Sequence, residues 1–245
     1  MDAFLNLKMG VQLLMTSLIL LLGTITCILS KEVKIAVLLP FNEARMFSLQ
    51  KVRPAIEYAI DDVHNETDYV KDIEFKVTYK DTNCKAPDGM KAAVMDVYDY
   101  DRPPNVFFGP VCDYTLAPVA RQVLFWNIPL ISVGAFSRDF TDYHSTEYRL
   151  LTRVGPMTFD SMCDTYLKII KFHNWNKFIV IYDKEGQNDK MDGFCHLATS
   201  SLHFATTDQA PNVSQDYFKI LGDYSDILRK EVGLNYAVID VFILS

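Results

Sequence analysis

The order of apolar and polar positions predicts strands and helices in alternation. KIAVLLP, residues 34–40, is a continuous apolar run of strand length, as in strands buried on both faces. IEFKVTYKD, residues 73–81, alternates apolar and polar side chains with period two, which also predicts a strand. Between them, residues 52–65 repeat apolar side chains at helical spacing. The chain therefore begins its folded part as strand, helix, strand.

The same alternation continues toward the middle of the chain. Residues 86–100 and 115–126 have helical patterns, and the short apolar runs VFFG and PLISVG precede and follow the second of these helices. Such a β-α repeat predicts a doubly wound parallel sheet covered by helices on both faces. The polar run SRDFTDYHSTEYR, residues 137–149, then predicts an irregular crossing or hinge.

A second unit is predicted after that crossing. It comprises LLTRVGP, a helix over about residues 157–172, the buried strand KFIVIYD, a helix that includes residues 193–204, and the terminal strand YAVIDVFIL. This unit has fewer strands than a doubly wound lobe usually needs. We therefore predict an α/β protein with a nearly complete first lobe, residues 31–142, and a truncated second lobe, residues 143–245.

The first 30 residues have a different composition from the rest. Lys8 precedes a 19-residue apolar run, residues 11–29, and small residues lie near Ser30 at its end, which resembles a secretory signal peptide. A run of this length is also long enough to be a membrane anchor, although its polar residues favour cleavage. Either way the chain is expected in the secretory pathway, at the cell surface or secreted.

Charge and motif content narrow the class of function. The net charge of −7 disfavours nucleic acid and fits a cationic partner, but mild acidity is also ordinary in secreted domains. The Asp, His and Ser residues form no catalytic spacing and the histidines no metal motif, so we expect neither an enzyme nor a metal site. The sequons at Asn65 and Asn212 predict glycosylation.

Four cysteines follow the predicted signal peptide. Cys84 comes after the second predicted strand and Cys112 after the third, and parallel strands end at the same edge of a sheet. In a secreted chain this placement predicts a Cys84–Cys112 disulfide. Cys163 lies in a predicted helix and is expected to be buried, whereas the pairing of Cys163 and Cys195 stays open.

The turn Gly-Pro-Val-Cys, residues 109–112, precedes a helix. Helix starts favour anions, and Val111 and Cys112 are the expected N–H donors, with the Thr82 hydroxyl close by; a solvated helix start is the alternative. Tyr114 and Arg121 are seven residues apart and share a helix face. Both residue types are enriched in binding hot spots, although a solvated Arg and a partly buried Tyr would give the same pattern.

Three stretches carry a resemblance to a known family. VFFGPVCDYTLAPVARQVLFWNIPLISVGA, EYRLLTRVGP and NWNKFIVIYD resemble the ligand-binding ectodomain of natriuretic peptide receptors, which include membrane guanylyl cyclases and a clearance receptor. The resemblance covers about residues 34–240. It implies a periplasmic-binding-protein-like fold of two lobes, and a homodimer that clamps a cyclic peptide hormone between its protomers.

The resemblance also implies roles for individual residues. Cys84 and Cys112 match the first disulfide of the family. The backbones of Val111 and Cys112 match its chloride site, and Thr82 lies near the position of its hydroxyl ligand. The remaining matches are two peptide-contact residues and one residue near the dimer contact: Tyr114, Arg121 and Trp126.

The sequence also departs from the family pattern. Phe125 stands where the family has a histidine, Lys85 and Ala86 stand where an acidic residue is expected, and QNDKMDGFCHLATSS matches the second-lobe peptide contacts poorly. Cys195 matches the first cysteine of a second bridge, but no cysteine follows YAVI to pair with it.

Three hypotheses follow. The first is a truncated receptor ectodomain that ends before a membrane span and signalling domains. The second is a binder of small, amino-acid-like molecules, with Ser132 and Ser137 holding a zwitterion in the cleft. The third is a remnant that binds nothing because its second lobe is incomplete.

Overall fold

A computed structural model describes residues 31–66, 70, 73–98, 102–155, 157–220, 225, 228–232 and 241–244. The predicted signal peptide or anchor, residues 1–30, lies outside these ranges. Within them, no helix is both long enough and apolar enough to cross a membrane.

The first sheet has five parallel strands in the order β2-β1-β3-β4-β5. The strands are β1 (Lys31–Leu39), β2 (Ile73–Asp81), β3 (Val106–Phe108), β4 (Leu130–Ser132) and β5 (Leu151–Arg153). β1 lies between β2 and β3, and its register with β2 runs from Lys31 opposite Ile73 to Leu39 opposite Asp81. The central position of β1 explains why its apolar run is continuous rather than alternating.

Helices cover both faces of this sheet. They are α1 (Leu49–Glu66), α2 (Ala86–Tyr98), α3 (Asp113–Trp126) and the short α4 (Asp139–Asp142). Ala36 and Leu38 of β1 pack with α2 and α3 in one core cluster, whereas Val37 and Leu39 pack with α1 in the other. Successive strand residues therefore serve opposite layers, as the pleat requires.

The second sheet has three parallel strands in the order β7-β6-β8. Its elements are α5 (Phe159–Phe172), β6 (Lys177–Tyr182), α6 (Phe194–Gln209), β7 (Ser214–Lys219), a π-helix (Leu228–Val232) and β8 (Val241–Leu244). Leu167 and Ile170 of α5, Phe178 of β6 and Leu202 of α6 are buried together in a separate core. The predicted α/β class with parallel sheets is confirmed.

The structure differs from the sequence-based assignments at β5, which was placed in the wrong unit, and at β7, which was not predicted. LLTRVGP was expected in the second unit, but Leu151–Arg153 pairs with Leu130–Ser132, so the first sheet extends past the boundary predicted at residue 142. The polar run before it also contributes Phe140 and Tyr148 to the first core, where both are buried. Strand β7 was not predicted, because SQDYFK is a mostly polar strand with β6 as its one neighbour in the described sheet.

Candidate ligand-binding site

A disulfide joins the ends of two first-sheet segments. Cys84 follows β2 and Cys112 precedes α3, their Cα atoms are 5.5 Å apart, and the two residues are bonded through their sulfur atoms. Both are buried, at 1% and 2% exposure. The predicted Cys84–Cys112 disulfide is present, and it fixes the start of α3 against the loop after β2.

The turn at residues 109–112 packs closely against the backbone of the first sheet. Gly109 has φ +80°, and a side chain there would collide with the Leu38 carbonyl of β1. A side chain at Gly134, in the loop after β4, would likewise collide with the Val111 carbonyl. These two glycines allow the turn to approach β1 and the loop after β4 closely, which sets the position of the helix that follows.

Asp113, the first residue of α3, is a buried carboxylate that sequence reasoning missed. Its Oδ1 accepts a hydrogen bond from Phe136 N at 3.1 Å and its Oδ2 one from Ser137 N at 2.7 Å. Burial raises the pKa of Asp113 from 3.8 to about 6, against the opposing effect of these N–H donors. The side chain therefore ties α3 to the loop after β4.

Unpartnered polar groups lie beside the disulfide. Val111 and Cys112 are buried, yet within the described ranges their backbone N–H groups donate to no acceptor. Thr82 is buried and its Oγ1 accepts from Cys84 N at 3.4 Å. The Ser48 hydroxyl is buried with no hydrogen-bond partner among the described residues, and sequence reasoning missed it. Its neighbour Phe47 lines a cavity of about 10 Å³ together with Val111 and Cys112.

The outward face of α3 carries an aromatic and cationic stripe. We call the "α3 stripe" the four side chains at helical spacing Tyr114, Pro118, Arg121 and Phe125. Tyr114 is 46% exposed and Phe125 is 83% exposed. Arg121 Nε donates to Glu147 Oε2 at 2.5 Å, and its guanidinium lies 5.0 Å from the centre of the Tyr148 ring. The structure thus places both predicted peptide-contact residues on the surface.

Trp126 occupies the C-terminal end of the same helix. Its ring contacts Phe107 of the first core at a centroid distance of 6.4 Å and meets the Tyr98 ring edge-on at 6.3 Å. Tyr98 is 70% exposed, and with Phe125 it forms an exposed aromatic patch around the half-buried Trp126. The predicted dimer-contact residue therefore lies beside exposed aromatic side chains.

A segment of the second unit contacts the first unit beside the disulfide and the start of α3. We call residues 187–193, between β6 and α6, the docking segment. Arg45 Nη1 donates to Asn188 O at 2.6 Å and to Asp192 Oδ1 at 2.7 Å, and Met46 N donates to Lys190 O at 3.2 Å. Met191 is buried in the cluster that contains the disulfide.

The docking segment also reaches Tyr114. Gly193, in the left-handed region at φ +70°, lies so close to the Tyr114 ring that a side chain there would collide with it. The ring is therefore held between its own helix and the second unit. Sequence reasoning linked this region to the ligand only loosely, since the run matched the family poorly.

A second, larger cavity of about 420 Å³ lies between α4 and α6. Its one lining cation, Arg138, is already paired with Asp142 at 3.0 Å and with Asp208 at 2.8 Å. Ser137 lines this cavity but Ser132 does not: the Ser132 hydroxyl is buried, donates to Pro110 O at 2.6 Å and accepts from Gly134 N at 3.0 Å. The zwitterion role expected for Ser132 is wrong, because its hydroxyl is committed to the turn.

The other predicted positions fall outside this edge. Cys163 and Cys195 are free and buried, and burial raises the pKa of both thiols, that of Cys163 to about 12. Asn65 and Asn212 are exposed, so both side chains are accessible to a glycan-transferring enzyme. The part of the chain that is described contains no cluster of three or more His, Cys, Asp or Glu side chains able to hold a metal.

The architecture is that of a periplasmic-binding-protein-like ligand-binding domain. A solved ABC transporter substrate-binding protein from Desulfitobacterium hafniense matches with a TM-score of 0.66 at 16% identity, over 87% of this chain and 58% of that chain. The chain belongs to the family described as the receptor family ligand-binding region, which it matches over residues 51–208.

Within that family, the chain is similar to natriuretic peptide receptors and to a receptor-type guanylate cyclase. The chain is 32% identical to the mouse atrial natriuretic peptide receptor 3 over 221 residues, which is 86% of this chain and 39% of the relative. It is 32% identical to the human receptor of the same name over 71% of this chain and 32% of the relative. A receptor-type guanylate cyclase of Caenorhabditis elegans, gcy-23, matches at 36% identity over 31% of this chain and 7% of the relative. The chain thus spans less than half of each relative.

Proposed function

We propose that this chain is an extracellular ligand-binding domain of a natriuretic-peptide-receptor-like hormone receptor, and that it binds a peptide hormone on the α3 stripe. The observation that carries the proposal is the exposed Tyr114 beside the Cys84–Cys112 disulfide, in a chain 32% identical to the mouse atrial natriuretic peptide receptor 3. The chain would act by binding, at the cell surface or in secreted form, rather than by catalysis.

The shape of the stripe favours a peptide over a small molecule. From Tyr114 to Phe125 it extends about 16 Å along α3, at 1.5 Å per residue. It is an outward-facing surface, whereas small ligands are usually enclosed in cavities. Two aromatic rings and a guanidinium are also the groups that contribute most at peptide and protein interfaces.

The same helix supports a homodimer. The exposed aromatic patch consists of Tyr98, at the end of α2, and Phe125 of α3 beside the half-buried Trp126, and Phe125 also belongs to the α3 stripe. In a two-fold dimer the patch of one protomer would contact the same patch of the other protomer, so one surface on each chain is enough for assembly. A peptide bound along the stripe would then lie close to the partner protomer.

We further propose that a chloride ion binds at the turn beside the disulfide. The two buried N–H groups of Val111 and Cys112 have no acceptor in the described part of the chain, and a helix start favours negative charge. Thr82 Oγ1 accepts from Cys84 N, so its own proton remains free to donate, and the Ser48 hydroxyl is a second candidate. A bound anion would stabilise the start of α3, and chloride-dependent thermal unfolding would detect it.

Binding to immobilised atrial natriuretic peptide tests the main proposal. Tyr114→Ala should weaken binding by about tenfold or more, as for a hot-spot aromatic residue. Tyr58→Ala is the matched control, since Tyr58 is an exposed tyrosine on α1, at 71% exposure, away from the stripe. Equal effects of the two substitutions, or no binding by the parent chain, would contradict the proposal.

The small-molecule hypothesis remains as a second candidate because of the 420 Å³ cavity. Its chemistry fits an amino acid poorly, since Arg138 is already shared by Asp142 and Asp208 and no other cation lines the cavity to hold a carboxylate. Calorimetry with amino acids separates the two: micromolar heats of binding would support this candidate against the peptide.

A further inference from the structure

Arg45 makes an ion pair that connects the two units at the proposed hormone site. Its side chain is only 14% exposed, and its Nη1 atom donates to two groups of the docking segment, Asp192 Oδ1 and the Asn188 carbonyl. A partly buried arginine that donates two hydrogen bonds is held more firmly than an arginine in an exposed ion pair, because an exposed ion pair contributes little to stability. The contact therefore fixes the docking segment relative to the first unit.

The fixed segment ends at the Tyr114 ring. Asn188 Oδ1 accepts from Gly193 N at 2.7 Å, so the residue that Arg45 holds through its carbonyl also sets the position of Gly193. Gly193 in turn is in close contact with the Tyr114 ring. A short chain of contacts thus leads from Arg45 through Asn188 and Gly193 to the ring.

We propose that Arg45 is a positioning residue for hormone recognition: by anchoring the docking segment it fixes the Tyr114 ring in one orientation toward the ligand. This inference rests on the proposed function for its binding readout only. A side chain held in one rotamer loses less conformational entropy on binding, so anchoring raises affinity without Arg45 touching the ligand. It also assigns a role to QNDKMDG, a run that matches the second-lobe peptide contacts of the family poorly.

The test uses the full chain with Arg45→Gln and two readouts that need no ligand. Hydrogen exchange at the Met46 amide, which donates to Lys190 O, should become at least about fivefold faster when the segment is released. Nitration of Tyr114, mapped by mass spectrometry, should also change in rate. Affinity for immobilised atrial natriuretic peptide should fall by about tenfold.

The swapped pair Arg45→Glu with Asp192→Arg separates positioning from loss of folding. It restores the ion pair but not the donor to the Asn188 carbonyl, so exchange at the Met46 amide should return to within about threefold of the parent, whereas nitration and affinity should recover only in part. Arg138→Gln is the control: it breaks a different ion pair between the units, to Asp208, and should leave Tyr114 nitration unchanged. Gly193→Ala perturbs the ring directly and should reproduce the change in nitration with Arg45 intact.

The outcomes distinguish this inference from the proposed function. Unchanged exchange and nitration in Arg45→Gln would overturn it, as would released exchange with unaltered Tyr114 nitration and affinity. If the parent chain bound no peptide, the proposed function would fail, while the exchange and nitration results would still decide whether Arg45 positions Tyr114.

Discussion

The carboxyl edges of the two sheets are built differently although both follow the same β-α repeat. The first is fixed by the Cys84–Cys112 disulfide and by the buried Asp113 carboxylate. In the second, Cys163 and Cys195 are free, and the edge carries the turns of the docking segment. A rigid edge suits the residues that contact a ligand, whereas the described part of the second edge has no covalent link and owes its position to the contacts of Arg45 and Met191 between the units.

The largest expected effect is the loss of the first-edge disulfide. Replacing both Cys84 and Cys112 by Ser removes a bridge between residues 28 apart, which should lower the free energy of unfolding by about 3 to 4 kcal/mol in the chain-entropy model. Denaturant unfolding measures this loss. If the double substitution cost no more than a change at a free cysteine of the second unit, the two edges would not differ as described.

Asp113→Asn should have the next largest effect. An amide presents one oxygen and one N–H₂ group, so one of the two N–H donors from Phe136 and Ser137 would face another donor. We expect a loss of about 2 kcal/mol, the cost of leaving a buried group unsatisfied. Asp61→Asn, at an exposed position on α1, is the control and should change stability by less than about 0.5 kcal/mol.

The same carboxylate predicts a pH dependence. Burial raises the pKa of Asp113 from 3.8 to about 6, so the folded chain binds this proton more tightly than the unfolded chain. Its contribution to stability is therefore fully present below about pH 4 and is lost as pH rises through about 6. The difference in unfolding free energy between the parent and Asp113→Asn should change across this window. A difference independent of pH would show that the side chain titrates normally.

A smaller effect is expected at the second edge. Cys195→Ala removes one buried sulfur atom and should cost about 1 to 2 kcal/mol through lost packing. Burial raises the pKa of both thiols, that of Cys163 to about 12, so at pH 8 iodoacetamide should label neither in the folded chain and both after unfolding. Rapid labelling of either in the folded chain would show that this edge opens readily.

Sequence patterns predicted the fold well where a local pattern of residues is enough to indicate the structure. The continuous apolar run of β1, the alternation of β2 and the cysteines after β2 and before α3 each have one physical reading in a parallel sheet. The strand β7 and the sheet to which β5 belongs were not predicted correctly, because the pairing of short or polar strands depends on residues distant in the sequence. The roles of Asp113 and Arg45 were not predicted for the same reason, since their hydrogen-bond partners lie 23 and 147 residues away in the sequence.

The smallest effect on stability, and the sharpest separation of binding from folding, is expected at Arg121. Arg121→Gln breaks an exposed ion pair with Glu147 and the contact over Tyr148, so stability should fall by no more than about 1 kcal/mol. If Arg121 contacts the hormone, affinity for immobilised atrial natriuretic peptide should fall far more than that. Glu147→Gln breaks the same ion pair but leaves the cation in place, so it should cost similar stability and retain affinity. Equal losses of affinity in the two variants would mean that Arg121 acts by holding Glu147 rather than by touching the peptide, and that the ligand-contact part of the first edge is confined to Tyr114.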